Sequence, residues 1–343
     1  MRKKQRRLLV PLGLLGLGIG ATYFLFRDRP DNQFPKLDKK QSTDTIPHKQ
    51  SNFFLMVDDG LPLAVTITQP TDNEKIKGIV QIIHGILEHK NRYQDFANFL
   101  ADNGYVVLTS DNRGHGESVN QQNPLGHMPG VDRMVADQVY LTTFIKEQYP
   151  DVPMYLYGHS FGSILARNYL KENDQLIDKL LLTGTVSYQK LAPLGIQLAK
   201  IANKLTGEQK HSWLLKRLSD YGNEDKSWLT NDLSQIEKLE NDTQMIPGYT
   251  NQGVATIWQA DYELKQIKKY HCQNPMLPIL SLSGMEDEEI TGGLTGLADT
   301  KATLEAIGYQ DVQIFEYEGM KHEVLNEIEN ALVYQRILDF FES

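Results

Sequence analysis

Met154-Tyr155-Leu156-Tyr157-Gly158-His159-Ser160-Phe161-Gly162 decides how the rest of this chain is read. Met154 to Tyr157 form a short apolar run, and from Phe161 to Lys171 the apolar spacing becomes helical. The pentapeptide Gly158-His159-Ser160-Phe161-Gly162 is therefore a strand-to-helix turn. Its two glycines permit a sharp reversal that projects the serine hydroxyl outward. The helix start sets the Phe161 amide and the positive end of the helix dipole beside any oxyanion formed there. Ser160 is the candidate nucleophile and the Phe161 N–H a candidate oxyanion donor.

Outward from this turn, short strands alternate with helical patterns. Phe53–Val57 and Leu63–Gln69 read as two early strands joined at Asp58-Asp59-Gly60. Gly78–His84, Tyr105–Asp111, Met154–Gly158, Lys179–Thr183, Pro278–Ser283 and Val312–Tyr317 follow. Between them lie helices at Tyr93–Asn103, Met134–Gln148, Phe161–Lys171, Lys301–Ile307 and Asn330–Phe341. Apolar strands alternating with helices imply an α/β fold: a mostly parallel, eight-stranded sheet covered on both faces, with ligands at the carboxyl ends of the strands. Residues 186–269 break the alternation. They read as several helices inserted over the sheet, hold all three tryptophans (Trp213, Trp228, Trp258), and carry one apolar helical face of Leu191, Leu194, Leu198, Ile201 and Leu205.

A serine needs a base, and the base needs an acid to orient it. In a fold of this kind the chain order is serine, acid, histidine. His322 follows the last strand, in Glu318-Gly319-Met320-Lys321-His322-Glu323, and no other histidine comes after His271. The acid belongs after Pro278–Ser283, where Glu286, Asp287, Glu288 and Glu289 all compete. A second oxyanion donor belongs after Gly78–Ile83, in His84-Gly85-Ile86-Leu87-Glu88-His89; the Ile86 N–H is the candidate. His84 and His89 read as loop-orienting residues. Cys272 is the single cysteine, has no glycine turn around it, and reads as structural. No cysteine–histidine spacing suggests a metal, and the chemistry asks for no cofactor.

These motifs resemble the monoacylglycerol lipase, lysophospholipase and serine aminopeptidase-like branch of the α/β hydrolases. The resemblance rests on His84-Gly85-Ile86-Leu87-Glu88-His89 with Arg92-Tyr93, on Asp111-Asn112-Arg113-Gly114-His115-Gly116-Glu117-Ser118, on the Ser160 turn, and on Gly284 with Asp287 and His322-Glu323 with Asn326-Glu327. It covers the chain from about Ser51 to the end. It implies Ser160 as nucleophile, His322 as base, Asp287 as acid, and Ile86 and Phe161 as oxyanion donors. It also implies that 186–269 is a lid and that the loop of Arg113 and His115 is structural. Glu288-Glu289 stand where the family usually has proline and a small apolar residue, which leaves Glu286 as a substitute acid.

The amino terminus carries a different signal. Leu8–Phe26 is a run of 19 uncharged residues behind the basic segment 1–7. As a helix it would rise about 28 Å, close to the thickness of a bilayer core. The flanking charge favours a cytoplasmic amino terminus and an extracytoplasmic body. An uncleaved single-pass anchor is favoured over a secretory signal cut after Ala21, because apolar residues continue to Phe26. Residues 27–50 read as a polar linker, and 51–343 as the catalytic domain. Residues 1–29 carry a net charge of +6 and the whole chain −9, which leaves −15 on the rest. An acidic body of that size disfavours nucleic acid as a partner.

The expected function is hydrolysis of a carboxylic ester, lipid-like in its acyl chain, such as a monoacylglycerol or lysophospholipid. A peptidase removing an amino-terminal residue is the competing reading. It would use a lid carboxylate such as Glu208, Glu224 or Glu237. A non-catalytic surface protein is the third.

Overall fold

The computed structural model describes residues 48–71, 76–219 and 225–343. The basic segment 1–7, the apolar run 8–26 and linker residues 27–47 lie outside the described residues. Among those described, no helix is long and apolar enough to cross a membrane.

The chain first makes two strands, His48–Met56 (β1) and Pro62–Pro70 (β2), paired antiparallel. Gly78–Ile83 (β3), helix Gln94–Asp102 (α1), Tyr105–Ser110 (β4), Val131–Gln148 (α2) and Met154–His159 (β5) follow. Phe161–Asn173 (α3) leads to Lys179–Thr183 (β6), then to the helices Ala192–Thr206 (α4), Trp213–Ser219 (α5), Leu233–Glu240 (α6) and Asn251–Glu263 (α7). The chain closes with Ile279–Gly284 (β7), Glu288–Thr291 (α8), Gly293–Ile307 (α9), Val312–Tyr317 (β8) and Asn330–Glu342 (α10). The eight strands form one sheet in the order β1-β2-β4-β3-β5-β6-β7-β8, parallel from β4 to β8.

Every residue of β3, β4, β5, β6 and β7 is buried, as strands covered on both faces require. Alternate residues of β3 show the two sides. Val80 and Ile82 join a cluster with Phe96 and Leu100 of α1 and Ile337 and Phe341 of α10. Gln81 points the other way and hydrogen-bonds Gln138 and Thr142 of α2. Layers of this kind leave only the carboxyl ends of the strands open for chemistry.

One expectation is corrected. β1 begins at His48, so residues 48–50 belong to the sheet and not to the linker. Their register opposite Thr68–Pro70 on an edge strand leaves polar side chains partly in solvent, with no apolar alternation to betray them. The spacing of α4 leaves open which way its apolar face turns. The face of Leu191, Leu194, Leu198, Ile201 and Leu205 does not pack inward; the helix is seated through Ala192, Ile196 and Ala199, which are buried. Small residues let α4 lie close to α7: a Cβ at Gly195 would stand 2.6 Å from the Trp258 ring.

Candidate active site

Ser160 stands between the end of β5 and the start of α3 with φ 52° and ψ −119°. Among the described residues, only Leu87 shares with it a positive φ outside glycine. Such a conformation stores on the order of 1–3 kcal/mol of strain, held by the surrounding packing. The neighbouring glycines make it possible: a Cβ on Gly158 would collide with the Gly162 carbonyl, and one on Gly162 with that of Ile83. Ser160 itself is largely buried.

His322 and Asp287 lie after β8 and β7. His322 Nδ1 is 2.8 Å from Asp287 Oδ2, and both side chains are nearly inaccessible, at 3% and 2% exposure. Glu286, Glu288 and Glu289 are exposed. The structure thus brings Asp287, of the four carboxylates, to the histidine. The Ser160 N–H donates to Thr183 O at the end of β6 (3.0 Å). The next residue, Gly184, packs on the histidine, where a Cβ would fall 2.7 Å from His322 Cε1. The ends of β5, β6 and β8 therefore place Ser160 and His322 against one another's neighbours.

The loop after β3 supplies the opposite wall. The Gly85 N–H donates to Glu88, and the Leu87 N–H donates to the Tyr249 hydroxyl (2.8 Å). No group among the described residues accepts the Ile86 N–H between them. Phe161 opens α3, where the first N–H groups of a helix have no intrahelical acceptor. Gly85, the residue before Ile86, packs on the serine, where a Cβ would fall 3.0 Å from Ser160 Cβ.

A buried ion network braces this wall, and nothing in the sequence spacing exposed it. Arg92 donates to Glu88 Oε2 (2.7 Å) and, through both terminal nitrogens, to the Glu323 carboxylate (2.8 and 2.7 Å). Tyr93 donates its hydroxyl to Glu88 Oε1 (2.7 Å). Arg92 thereby ties the loop of Gly85 and Ile86 to the residue after His322, across 231 positions of sequence. Burial alone would raise the Glu88 pKa, but the Arg92 charge, with His159, His84 and the Tyr93 hydroxyl, outweighs it and holds the carboxyl at about 2. The Glu323 carboxyl is likewise lowered: burial opposes, and Arg92 prevails.

The histidines divide by environment. Burial pulls the His322 pKa down, yet the Asp287 charge and hydrogen bond, helped by Glu323 and Glu88, outweigh it and raise it above the ordinary value. His159, whose ring centroid lies 4.8 Å from that of His322, is lowered to about 4 by burial and by the charge of His322. His84 (Nδ1 to Gly85 O, 2.8 Å) and His89 (Nε2 to Asp242, 2.7 Å) hold loops, in keeping with their reading as orienting residues. Arg113 pairs with Asp137 and Asp59, and His115 Nε2 lies 2.8 Å from the Tyr249 hydroxyl. Cys272 is half-buried, and burial raises its thiol pKa. Among the described residues no cluster of histidine, cysteine and carboxylates is arranged to hold a metal.

The segment before α6 reaches the site from above. The Trp228 ring centroid lies 5.0 Å from that of His322. The Glu323 N–H donates to Leu229 O (2.8 Å), Thr230 Oγ1 donates to Asn326 O (2.8 Å), and Lys321 Nζ to Ser227 O (2.7 Å). The sequence places Trp228 in the inserted segment but gives no sign of this contact, because a tilted pair of rings leaves no periodic signal.

Residues 74–329 match the family model described as serine aminopeptidase, S33. The monoacylglycerol lipase of Mycolicibacterium smegmatis is 24% identical over 269 residues, covering 78% of this chain and 89% of that protein. The monoglyceride lipase of Mus musculus is 24% identical over 270 residues, covering 76% and 80%. Among solved structures, a thermostable carboxyl esterase from Bacillus coagulans, in complex with glycerol, superposes with a TM-score of 0.75 at 24% identity, covering 85% of this chain and 98% of its own. A soluble variant of the Saccharomyces cerevisiae monoglyceride lipase gives 0.66 at 18% identity, covering 89% and 97%.

Proposed function

The chain belongs to the serine aminopeptidase S33 family of α/β hydrolases, and from that premise we propose that it hydrolyses carboxylic esters with lipid-like acyl chains, monoacylglycerols or lysophospholipids. The observation that carries the reading is Ser160 held at positive φ on its strand-to-helix turn, at the strand ends that also carry the buried His322–Asp287 pair. In this proposal His322 takes the Ser160 proton as Oγ attacks the ester carbonyl. The oxyanion is received by the Ile86 and Phe161 N–H groups. Collapse releases the alcohol, protonated by His322, and leaves an acyl-Ser160. Water, deprotonated by His322, attacks that acyl group; the acid departs and Ser160 regains its proton. Asp287 keeps the imidazole in the tautomer that leaves Nε2 free and stabilises its charged form.

The relatives named monoacylglycerol and monoglyceride lipase support the acyl-lipid substrate. The helices of 186–269 serve as the lid in this reading. The uncharged run Leu8–Phe26 serves as the anchor that keeps an extracytoplasmic catalytic body at its substrate's membrane. Of the lid carboxylates that a peptidase would need for a free amine, Glu208 and Glu237 are exposed and Glu224 lies outside the described residues.

The test is a panel of p-nitrophenyl esters, monoacylglycerols, lysophospholipids and aminoacyl arylamides, with the full chain and with Ser160→Ala. Esters are expected to turn over, and Ser160→Ala to lose on the order of 10³-fold or more. Full activity in that variant, or faster arylamide than ester cleavage, overturns the proposal.

A further inference from the structure

The loop that carries Ile86 is held on both sides of that residue. Before it, Gly85 donates its N–H to Glu88, and its carbonyl accepts from His84 Nδ1 (2.8 Å). His84 Nε2 in turn accepts the Asn112 N–H (2.8 Å). After it stands Leu87 at φ 62°. A bulky side chain rarely takes that conformation, because its Cβ crowds the following carbonyl. Leu87 must therefore be held there by bonds from outside the loop.

Both backbone polar groups of Leu87 are taken by one short stretch between α6 and α7. The Leu87 N–H donates to the Tyr249 hydroxyl (2.8 Å), 162 positions further along the chain. The Ile246 N–H donates to Leu87 O (3.0 Å). Tyr249 and Ile246 are both buried. Tyr249 is itself well fixed: the next N–H, of Thr250, donates to Gly126 O (3.0 Å), and His211 Nδ1 donates to the Tyr249 carbonyl (3.0 Å).

The single proton of the Tyr249 hydroxyl has a definite place. His115 Nδ1 faces the Arg113 carbonyl (3.1 Å), which can only accept, so that nitrogen carries the ring hydrogen. Burial lowers the His115 pKa to about 3, which leaves the ring neutral and Nε2 an acceptor. Nε2 takes the Tyr249 proton (2.8 Å), and the phenolic oxygen accepts from Leu87. A hydroxyl that donates in this way is also the stronger acceptor.

We propose that Tyr249 is a positioning residue for the reaction: with Ile246 it pins Leu87 at positive φ and so aims the Ile86 N–H at the oxyanion formed on Ser160, an assignment that rests on the ester-hydrolase reading of the site. Phenylalanine at 249 would keep the ring and its packing but lose the bond to Leu87. The Ile86–Leu87 peptide would then relax toward ordinary φ and carry the Ile86 N–H off the oxyanion.

The test compares Tyr249→Phe with the unaltered full chain on a soluble butyrate ester and on an alkyl trifluoromethyl ketone. Ser160 Oγ adds to the ketone carbonyl, and the resulting oxyanion reports the donors directly. Tyr249→Phe is expected to lower kcat on the order of tenfold while KM stays within about twofold. Ketone affinity should weaken by a similar factor. Adding Leu87→Gly to Tyr249→Phe should return part of the lost kcat, because glycine takes positive φ without being held there. Unchanged kcat and ketone affinity overturn the proposal. A raised KM with ketone affinity kept also overturns it, by making Tyr249 a substrate contact. So does a lowered urea midpoint with ketone affinity kept, which would leave Tyr249 a purely structural part. If the unaltered chain binds the ketone but cleaves no ester, the ester reading fails, and the ketone comparison still decides for or against Tyr249.

Discussion

At His322 two influences of opposite sign meet in one ring. Burial is the largest single influence and lowers its pKa, but the charge and hydrogen bond of Asp287, together with the Glu323 and Glu88 charges, outweigh it and raise the value. A base that must be neutral to act then loses activity as pH falls through a value above the ordinary ~6.5 of histidine. The acidic limb of kcat/KM is expected above that point. Asp287→Asn should move it downward and lower kcat on the order of 10³- to 10⁴-fold, because the imidazole loses both its charge partner and its tautomer. A pH–rate profile on a soluble ester checks both; an unmoved limb would dismiss Asp287 as the orienting acid. At this scale the sequence showed much. Chain order and the glycines around Ser160 pointed to the serine and histidine positions without coordinates. It left Asp287 among four adjacent acids, because which carboxylate turns inward depends on one backbone turn, and the three glutamates beside it face solvent.

Among elements, the ties that matter most join segments far apart in sequence. Arg92 sits between two buried carboxylates, Glu88 and Glu323. Arg92→Leu strands both in a dry environment and is expected to cost about 3–5 kcal/mol of stability. Arg92→Lys should recover only part of that, since an ammonium cannot make the paired contact with Glu323. Urea unfolding of the three proteins measures the difference; an Arg92→Leu protein as stable as the unaltered chain would show that the network carries no such weight. Helix α4 shows where sequence reading of elements stops. Its 3-4-3-4 leucine spacing announces a helix with an apolar stripe, and periodicity has no means of saying whether that stripe faces the protein. The sparser set of Ala192, Ile196 and Ala199 seats the helix. Helix α9 was read as starting at Lys301 but runs from Gly293, because Gly293 and Gly296 weaken its first turns in any propensity scale.

For the molecule as a whole, the buried histidines set the response to acid. His115 is lowered to about 3, by burial first and then His84, His159 stands at about 4, and His84 is lowered by burial. Unfolded, each binds a proton near 6.5. Their contribution is therefore fully present above that pH and is lost as pH falls toward 4 and 3. Glu88, held at about 2, adds a loss of the same sign below the ordinary glutamate range. His322 works against them: its raised pKa stabilises the fold in acid, and that contribution fades as pH rises through the folded value. His127, also lowered by burial, joins them, and Asp261, raised by burial to about 7, joins His322. The four lowered histidines are expected to prevail, so urea midpoints should fall from pH 7 to pH 4.5; a flat or rising profile would contradict the neutral burial. The sheet's class was legible because long apolar strands between helices admit few other arrangements, whereas the order β2-β4-β3-β5 was not, since pairing between strands is written in no local pattern. That order also governs when the enzyme comes into being. His322 follows β8, an edge strand, while Ser160 is set from β5, and β6 and β7 lie between them in the sheet. A chain halted short of β8 would carry the serine and no histidine to use it, so synthesis must run past that strand before Ser160 has a base.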